Sequence, residues 1–509
     1  MSNNFNQNTM KIKLYIKIVV IAIIAFSCTD LSEEYFDVMP FSEYGKTPNE
    51  IKTISGSAYS SLRGFKDDIS NAYPVSEYVF FLQECVSDEA CIPTRGTDWG
   101  DEGRYIEAHQ HDLKPNNAMV LSTWRYCYNG ISTCNFVIEI IDNGDLSTDD
   151  KEIAMAEIRG IRAYYYYLLV DMFGNVPITT SANDTAIATA PRADVYDFVE
   201  TELLDIVDKL QPGKEYGRFT QNVANTLLAR LYINSEVFIG TPRWQDCIDA
   251  CNKVTGYSLE ASVKDNWLIE NQGSDEIIFA IPYDNKEGTE GHYLNSMTYH
   301  YNQRQAFSAT SGGWQWSANG ICAQPGVYSS FEPEDERIAC MTEGIQYNLA
   351  TGEAITMDDG SILDYTEEIT NFYDAPQNEG VRLSKLEVRE DEQWERDHDW
   401  VLMRYAEVMM MKAECLLRLG NAGAAQSLVT EIRGRSNLAP LGTLTLEALD
   451  TEWLHEFLFE GIRRNVNIRF GTYFKPWWEK GITPANKGIF PIPQSELSKN
   501  PLLVQNPGY

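Results

Sequence analysis

Four consecutive tyrosines, Tyr164 to Tyr167, do most to limit what this chain can fold into. They lie in residues 153–173, IAMAEIRGIRAYYYYLLVDMF, whose apolar spacing predicts a helix ending at Gly174, with Pro177 beyond. Neighbouring residues point to every face of a helix. A helix that is aromatic all round has to be packed on several sides, so other helices must surround it. Residues 191–210 predict an amphipathic helix with Pro191 at its start and Pro212-Gly213 past its end. Residues 222–239 and 244–254, separated by Pro242, predict a helical hairpin. Residues 402–419 and 422–433, separated by Gly420, predict another, in which Ala406, Ala413, Ala422, Ala424 and Ala425 permit close helix approach. A final long helix is predicted over 451–470, and N-terminal helices over 49–65 and 116–141. Hairpins of this length, scattered and not in tandem, resemble tetratricopeptide repeats. From 257 to 400 the periodicity breaks down. Residues 276–283, EIIFAIPY, predict a buried strand among long Gly-, Asn-, Ser- and Trp-bearing connections, and connections of that length are where function concentrates.

The N-terminus follows another logic. Residues 1–27 carry Lys11, Lys13 and Lys17, no acid, and an apolar run at 18–26. That is the layout of a secretory signal peptide; the run is far shorter than the ~20 residues that span a bilayer. Met10 is an alternative start to Met1. The end of the run, Ala25-Phe26-Ser27-Cys28, looks like a bacterial lipobox, with Cys28 as the lipidated N-terminus. The acidic stretch after Cys28 resembles a signal for export to the outer leaflet. Over 509 residues there are 74 acidic and 41 basic side chains, a formal charge of −33, which becomes −36 when the three lysines are removed. Such an excess argues against a nucleic-acid partner and favours neutral over polyanionic ligands.

Nine cysteines follow Cys28, so at least one is unpaired in an exported chain. No CxxC pair occurs, which removes zinc-ribbon and thioredoxin-type readings. Most are expected to be buried small hydrophobes, with a Cys85–Cys91 loop disulfide as an alternative for that pair. Catalytic signatures are missing: there is no GxGxxG, GxxxxGK[ST] or GxSxG. His455-Glu456 opens like a zinc-protease helix, but Phe459 stands where the second His belongs. His109-Gln-His111-Asp112 reads as a polar loop, and Asp358-Asp359-Gly360 lacks the alternating ligands of a calcium loop. No carboxylate pair stands out as catalytic. No catalytic residue, metal or cofactor is expected.

Aromatics in the loops are more informative. Trp99 lies in RGTDWGDEG, Trp314 and Trp316 in SGGWQWSANG, and Tyr293 follows Gly291-His292. Sugars stack their C–H faces on flat rings, and their hydroxyls bond to neighbouring Asn, Asp and Gln. Trp99, Tyr293, Trp314 and Trp316 are therefore the glycan-binding candidates. Trp124, Trp244, Trp453, Trp477 and Trp478 lie in or beside helices and are expected in the core.

With these motifs in order, the chain resembles the SusD/RagB family of outer-membrane lipoproteins. The helix at 156–167 and the turn Phe173-Gly-Asn-Val-Pro177 resemble the family's Tyr-rich helix and Gly-x-Val-Pro turn. Residues 220–232 resemble its LLARLY helix, and 402–435 its RYAEV…VRxR hairpin. Glu460-Gly461-Ile462-Arg463 resembles its EGxR segment, although Asn467 and Phe470 replace the usual Asp and Trp. Pro491-Ile-Pro493 to Tyr509 resembles its closing segment. The resemblance implies a mainly α fold, with tetratricopeptide-like hairpins packed against an irregular, loop-rich ligand-binding half. The expected division is signal peptide 1–27, acidic tether 28–45 and one domain 46–509. Helical elements are expected at about 46–65, 116–255 and 401–470, and the irregular ligand-binding region at about 66–115 and 257–400. It also implies a lipid-anchored, outward-facing, non-enzymatic protein of the outer membrane. Such a protein captures glycan and delivers it to a SusC-like TonB-dependent transporter. Peptide capture, as in the RagB branch, is the alternative ligand class, and an exported glycoside hydrolase a remote one.

Overall fold

The computed structural model describes residues 47–66, 71–72, 78–144, 147–182, 184, 186–284, 292, 294–310, 317–390 and 397–509. The signal peptide, Cys28 and the tether up to residue 45 lie outside them. Helices begin where a side chain caps them. Thr47 and Glu50 form a reciprocal capping box on Pro48–Ser61 (α1). Asn117 caps Ala118–Asn143 (α2) and Ser147 caps Thr148–Met172 (α3). Pro191 precedes Arg192–Ile206 (α4), and Thr220 caps Gln221–Ile233 (α5). Trp244–Lys253 (α6), Tyr405–Arg418 (α7), Ala422–Arg435 (α8), Leu446–Glu456 (α9) and Arg463–Phe470 (α10) complete the longer helices.

Neighbours in the chain pack as hairpins: α2 on α3, α3 on α4, α5 on α6 and α7 on α8, with α6 also against α7. This is the tetratricopeptide-like half. Tyr164 to Tyr167 are all buried. Tyr165 occupies the space that a side chain on Gly130 of α2 would need, because a Cβ there would come within 2.1 Å of its ring.

Two predicted boundaries change. The helix predicted from 402 starts at Tyr405, because Trp400–Arg404 is a strand paired antiparallel with Ile277–Ile281. Of the strand predicted over 276–283, Ile277–Ile281 forms and is buried throughout, and its backbone groups need that partner. The helix predicted over 451–470 is two, α9 and α10. Phe459 and Gly461 between them have φ of +63° and +78°. Their N–H groups donate to the buried carboxyls of Glu89 and Glu84 instead of to helical carbonyls.

The 277–281/400–404 pair is a stem. It brings both ends of the irregular excursion together at the start of α7. A buried ion-pair network locks the stem to the last helices. Arg404 binds Glu276 at 2.8 Å, Glu456 at 2.6 Å and Glu460 at 2.7 Å. Arg435 reaches Glu276 at 2.7 Å and also Glu456, Lys385 pairs with Glu460, and Arg337 holds Asp335 at 2.8 Å. Burial would raise the Glu456 pKa, but Arg435, Arg404 and Arg337 outweigh it and hold that carboxyl far below the usual range.

One hydrophobic cluster runs from Ile51 to Ile492. Two satellites lie within the irregular half, around Cys91, Cys322 and Phe372 and around Ile355, Leu363 and Tyr365. All nine cysteines after Cys28 are buried thiols. The Cys85–Cys91 bridge is thus not formed; Cys91 faces Cys322 across a strand pair. Among the described residues, no helix is long and apolar enough to cross a membrane.

Candidate functional site

The loop bearing Trp99 leaves strand Ala90–Cys91. Arg95 and Asp98 exchange backbone hydrogen bonds of 2.9 and 3.1 Å, closing a tight turn. The backbone then enters the left-handed region repeatedly, at Trp99 (φ +59°), Asp101 (+36°), Glu102 (+58°) and Gly103 (+82°). For a bulky residue that conformation is strained and persists only if its surroundings enforce it. Here they do. The Trp99 indole N–H donates to the Ala318 carbonyl at 2.7 Å. Its ring fills the notch above Gly320, where a Cβ would come within 2.4 Å. Tyr105 and Phe81 close the other sides at ring distances of 5.6 and 6.3 Å. The ring remains half-buried.

Beside it, the half-buried Tyr301 donates its hydroxyl to the Asp98 carboxylate. Burial, then Asp98, push the Tyr301 phenol well above its ordinary pKa. Asn302 donates to the Thr356 carbonyl at 2.7 Å. Residues 318–319 run along 296–299, with Ala318 N–H donating to Ser296 at 2.7 Å and Asn319 N–H to Tyr299 at 2.8 Å.

The floor is polar and closed to bulk solvent. Arg95 and Arg382 are fully buried. Arg95 donates to the carbonyls of Pro376 (2.5 Å) and Glu379 (2.7 Å), and Arg382 to Asn319 Oδ1 (2.7 Å) and the Gly380 carbonyl (2.6 Å). Burial, then Arg382, lower the Arg95 pKa to about 10. Burial, Arg382 and Arg95 push His300 down to about 4, so its imidazole is neutral near pH 7. These guanidiniums satisfy carbonyls that no helix or strand serves, which fixes the loops above them.

Of the candidate residues, Trp99 is placed by this geometry; Tyr293, Trp314, Trp316 and Cys28 lie outside the described residues. Ala318, two positions after Trp316 in sequence, is the residue that Trp99 grips. Tyr301, Asn302 and Asn319 were not singled out from the sequence. The signal was present in residues 299–303, YHYNQ, an aromatic and amide run within the irregular region. The half-buried indole of Trp99, phenol of Tyr301 and amide of Asn302 combine aromatic surface with hydrogen-bonding groups, the chemistry that suits a sugar, whereas Asn319 is fully buried with its amide engaged by Gln377 and Arg382.

Other residues raised by the sequence are structural. His109 and His111, expected in a polar loop, are buried; His111 stacks on Tyr473 at 3.9 Å, and His109 bonds to the Trp478 carbonyl at 2.8 Å. His455 is buried against Phe331. Asp359 accepts from Ser361 in an exposed turn. Trp124 and Trp453 are in the core, as expected, whereas Trp244, Trp477 and Trp478 are half-buried. Among the described residues, no group of three or more His, Cys, Asp or Glu is placed to hold a metal. A cavity of about 60 Å³ among the helices, lined by Tyr164, Tyr167, Arg230 and Glu407, holds a few waters at about 10–15 Å³ each, not a sugar ring.

A family model described as starch-binding associating with outer membrane matches residues 71–233, and a SusD family model matches residues 275–487. The starch-binding protein SusD of Bacteroides thetaiotaomicron is 26% identical over 446 residues, covering 76% of this chain and 78% of the relative. SusD-like protein P2 of Formosa agariphila is 24% identical and covers 98% of this chain and 100% of its own. Surface glycan-binding protein A of Bacteroides thetaiotaomicron, solved with laminarihexaose, superposes with a TM-score of 0.74 at 20% identity, over 91% of this chain and 100% of that one. That superposition establishes the fold.

Proposed function

The chain belongs to the SusD/RagB family, and from that premise we propose that it captures a neutral glycan at the cell surface for uptake. In this reading the signal peptide is removed before Cys28. Cys28 is lipidated in the outer membrane, and residues 28–45 tether one domain, 46–509, facing outward. The bound glycan is passed to a SusC-like TonB-dependent transporter, and no bond is cut. The observation that carries the reading is Trp99. A strained backbone and a dedicated hydrogen bond hold Trp99 half-buried, packed on Phe81 and Tyr105 at the rim of the core and next in the chain to Asp98, which accepts from Tyr301. The SusD relative named above is a starch-binding protein, which supports a carbohydrate ligand. The exposed acids Asp98, Asp101 and Glu102 around the loop disfavour polyanions.

Calorimetry against a panel of neutral and acidic polysaccharides tests it. A neutral glycan is expected to bind, and the double variant Trp314→Ala, Trp316→Ala to weaken it by about 1–3 kcal/mol per stacking ring, by analogy with bases stacked on aromatics. Unchanged affinity in that variant would remove the two tryptophans from the site. A peptide, and no sugar, recovered with the chain from its native membrane would replace the ligand class. Pull-down of a transporter barrel from the same membrane tests the partner.

A further inference from the structure

Cys91 and Cys322 sit opposite one another in the antiparallel pair formed by Ala90–Cys91 and Cys322–Ala323. Their sulfurs are 3.9 Å apart and fully buried. Opposed residues in an antiparallel ladder have Cα atoms about 4.5–5.5 Å apart, inside the about 4.4–6.8 Å that a disulfide spans. Side-chain rotation alone can therefore close the gap. The site is fitted to these two sulfurs: a Cβ on Gly380 would come within 2.5 Å of the Cys322 sulfur. Arg95 Nη2 lies 3.7 Å from that sulfur. Neither Arg95 nor Arg382 has a carboxylate in an ion pair among the described residues.

We propose that Cys91 and Cys322 form a reversible cross-strand disulfide in the exported protein, clasping the strand that leads into the Trp99 loop to the strand that follows Ala318 and Gly320. The oxidant is a disulfide-exchange donor such as glutathione disulfide. The Cys322 thiolate attacks one sulfur of the donor, forming a mixed disulfide and expelling one glutathione thiolate. Cys91 gives its proton to solvent and attacks the Cys322 sulfur, expelling the second glutathione thiolate. Two protein thiols lose two electrons and two protons, and the donor's disulfide becomes two thiols. Cys322 is the attacking group. In the closed pair a hydrogen bond from Cys91, together with Arg95 and Arg382, lowers the Cys322 thiol against its burial, whereas burial pushes Cys91 up; as the strands begin to part, Cys322 is the thiol already biased toward the thiolate. Because both sulfurs are buried, exchange takes place while the strand pair is open, during folding or local opening. The same arginines stabilise the reduced thiolate, which makes the disulfide labile and not a permanent staple. Export would supply oxidising surroundings, but the chemistry does not depend on the ligand assignment.

The test uses the mature chain equilibrated with glutathione disulfide, quenched in acid, and alkylated in denaturant before and after reduction. Two of the nine thiols are expected to be protected until reduction, with a cross-linked peptide joining Cys91 to Cys322. Reduced glutathione is expected to release them, whereas a bridge that resists it overturns the reversibility. Full alkylation of all nine before reduction, or a bridge from either residue to Cys85, overturns the pairing. As a second measurement, reductant is expected to lower the urea midpoint of the oxidised wild type and leave Cys91→Ala unmoved. An equal shift in Cys91→Ala would show that the bridge is elsewhere.

Discussion

The helical half and the irregular half are held together by opposite means. Around α2 and α3, apolar faces interlock so closely that Gly130 is needed beside Tyr165, and the backbone satisfies itself within the helices. In the irregular half most strands are two residues long, so many buried carbonyls have no ladder partner. Buried guanidiniums serve them instead: Arg95 and Arg382 bond to the carbonyls of Pro376, Gln377, Glu379 and Gly380. Where secondary structure ends, charged side chains take over its work. The same device joins the halves, through Arg404, Arg435 and Lys385 on Glu276, Glu456 and Glu460. The Arg and Glu residues that mark the family in sequence, Arg404, Arg435 and Glu460, are therefore the seam between halves and not ligand groups.

If the seam is ionic, removing its central cation should have the largest effect. Arg404→Met leaves Glu276, Glu456 and Glu460 facing one another with fewer cations. The expected loss is about 3–5 kcal/mol of stability, the cost of uncompensated buried charge, read from urea denaturation. A loss below about 1 kcal/mol would mean that packing, not charge, joins the halves.

Gly130→Ala probes the other half, and two effects oppose each other there. Helix propensity favours Ala over Gly by about 1 kcal/mol. Overpacking costs about 1–3 kcal/mol, and Tyr165 is completely buried with no room to withdraw. Packing is expected to win, giving net destabilisation in thermal melts; a stabilised variant would show that α2 and α3 can slide apart.

The seam also contains an acid pair. Glu84 and Glu89 are buried, accept from Gly461 and Phe459, and share a hydrogen bond. Burial above all raises Glu84 from its ordinary 4.5 to about 7, and burial with Glu84 raises Glu89 well above its own. A carboxyl whose folded pKa is raised stabilises the fold fully below the unfolded value. That contribution is lost as pH rises through the folded value. Stability is therefore expected to fall between about pH 4.5 and 7, by at most about 1.4 kcal/mol per pH unit per proton held. Glu456 works in the opposite sense, but its contribution is lost only below its unfolded value of about 4.5 and is essentially complete across this window. Glu84→Gln should flatten the pH dependence of the melting temperature; an unchanged slope would assign it to other groups.

The helical half was legible because its period is local. Residues 153–173, 222–239 and 422–433 declared themselves by apolar spacing and caps. The break between α9 and α10 did not, because its cause is distant: Glu84 and Glu89 lie some 370 residues earlier in the chain. Residues 402–404 read as the start of a helix for the same reason, since only pairing with Ile277–Ile281 makes them part of the strand Trp400–Arg404. At the candidate site, Gly-flanked Trp99 could be picked out from composition. Asn319 could not, because its role depends on contacts with Gln377 and Arg382.

The contrast between the halves is sharpest where the short strand Gly344–Ile345 runs on into the bridge at Tyr347 and the turn after it. Ile345, Tyr347 and Leu349 point outward, 42%, 56% and 54% exposed. Gln346 between them points inward, accepting from Gln303 at 2.7 Å and donating to the Gly344 carbonyl at 2.8 Å. In the helical half a truncated apolar residue is the costly change. Here the order inverts. Gln346→Ala leaves the buried Gln303 amide without its acceptor and is expected to cost about 1–3 kcal/mol. Tyr347→Ser, one residue away, removes only exposed surface and is expected to stay within about 0.5 kcal/mol of wild type. Urea midpoints of the two variants measured side by side decide it: equal losses would mean that the outward face is covered by something it packs against, and that polar partners are not what holds this half in shape.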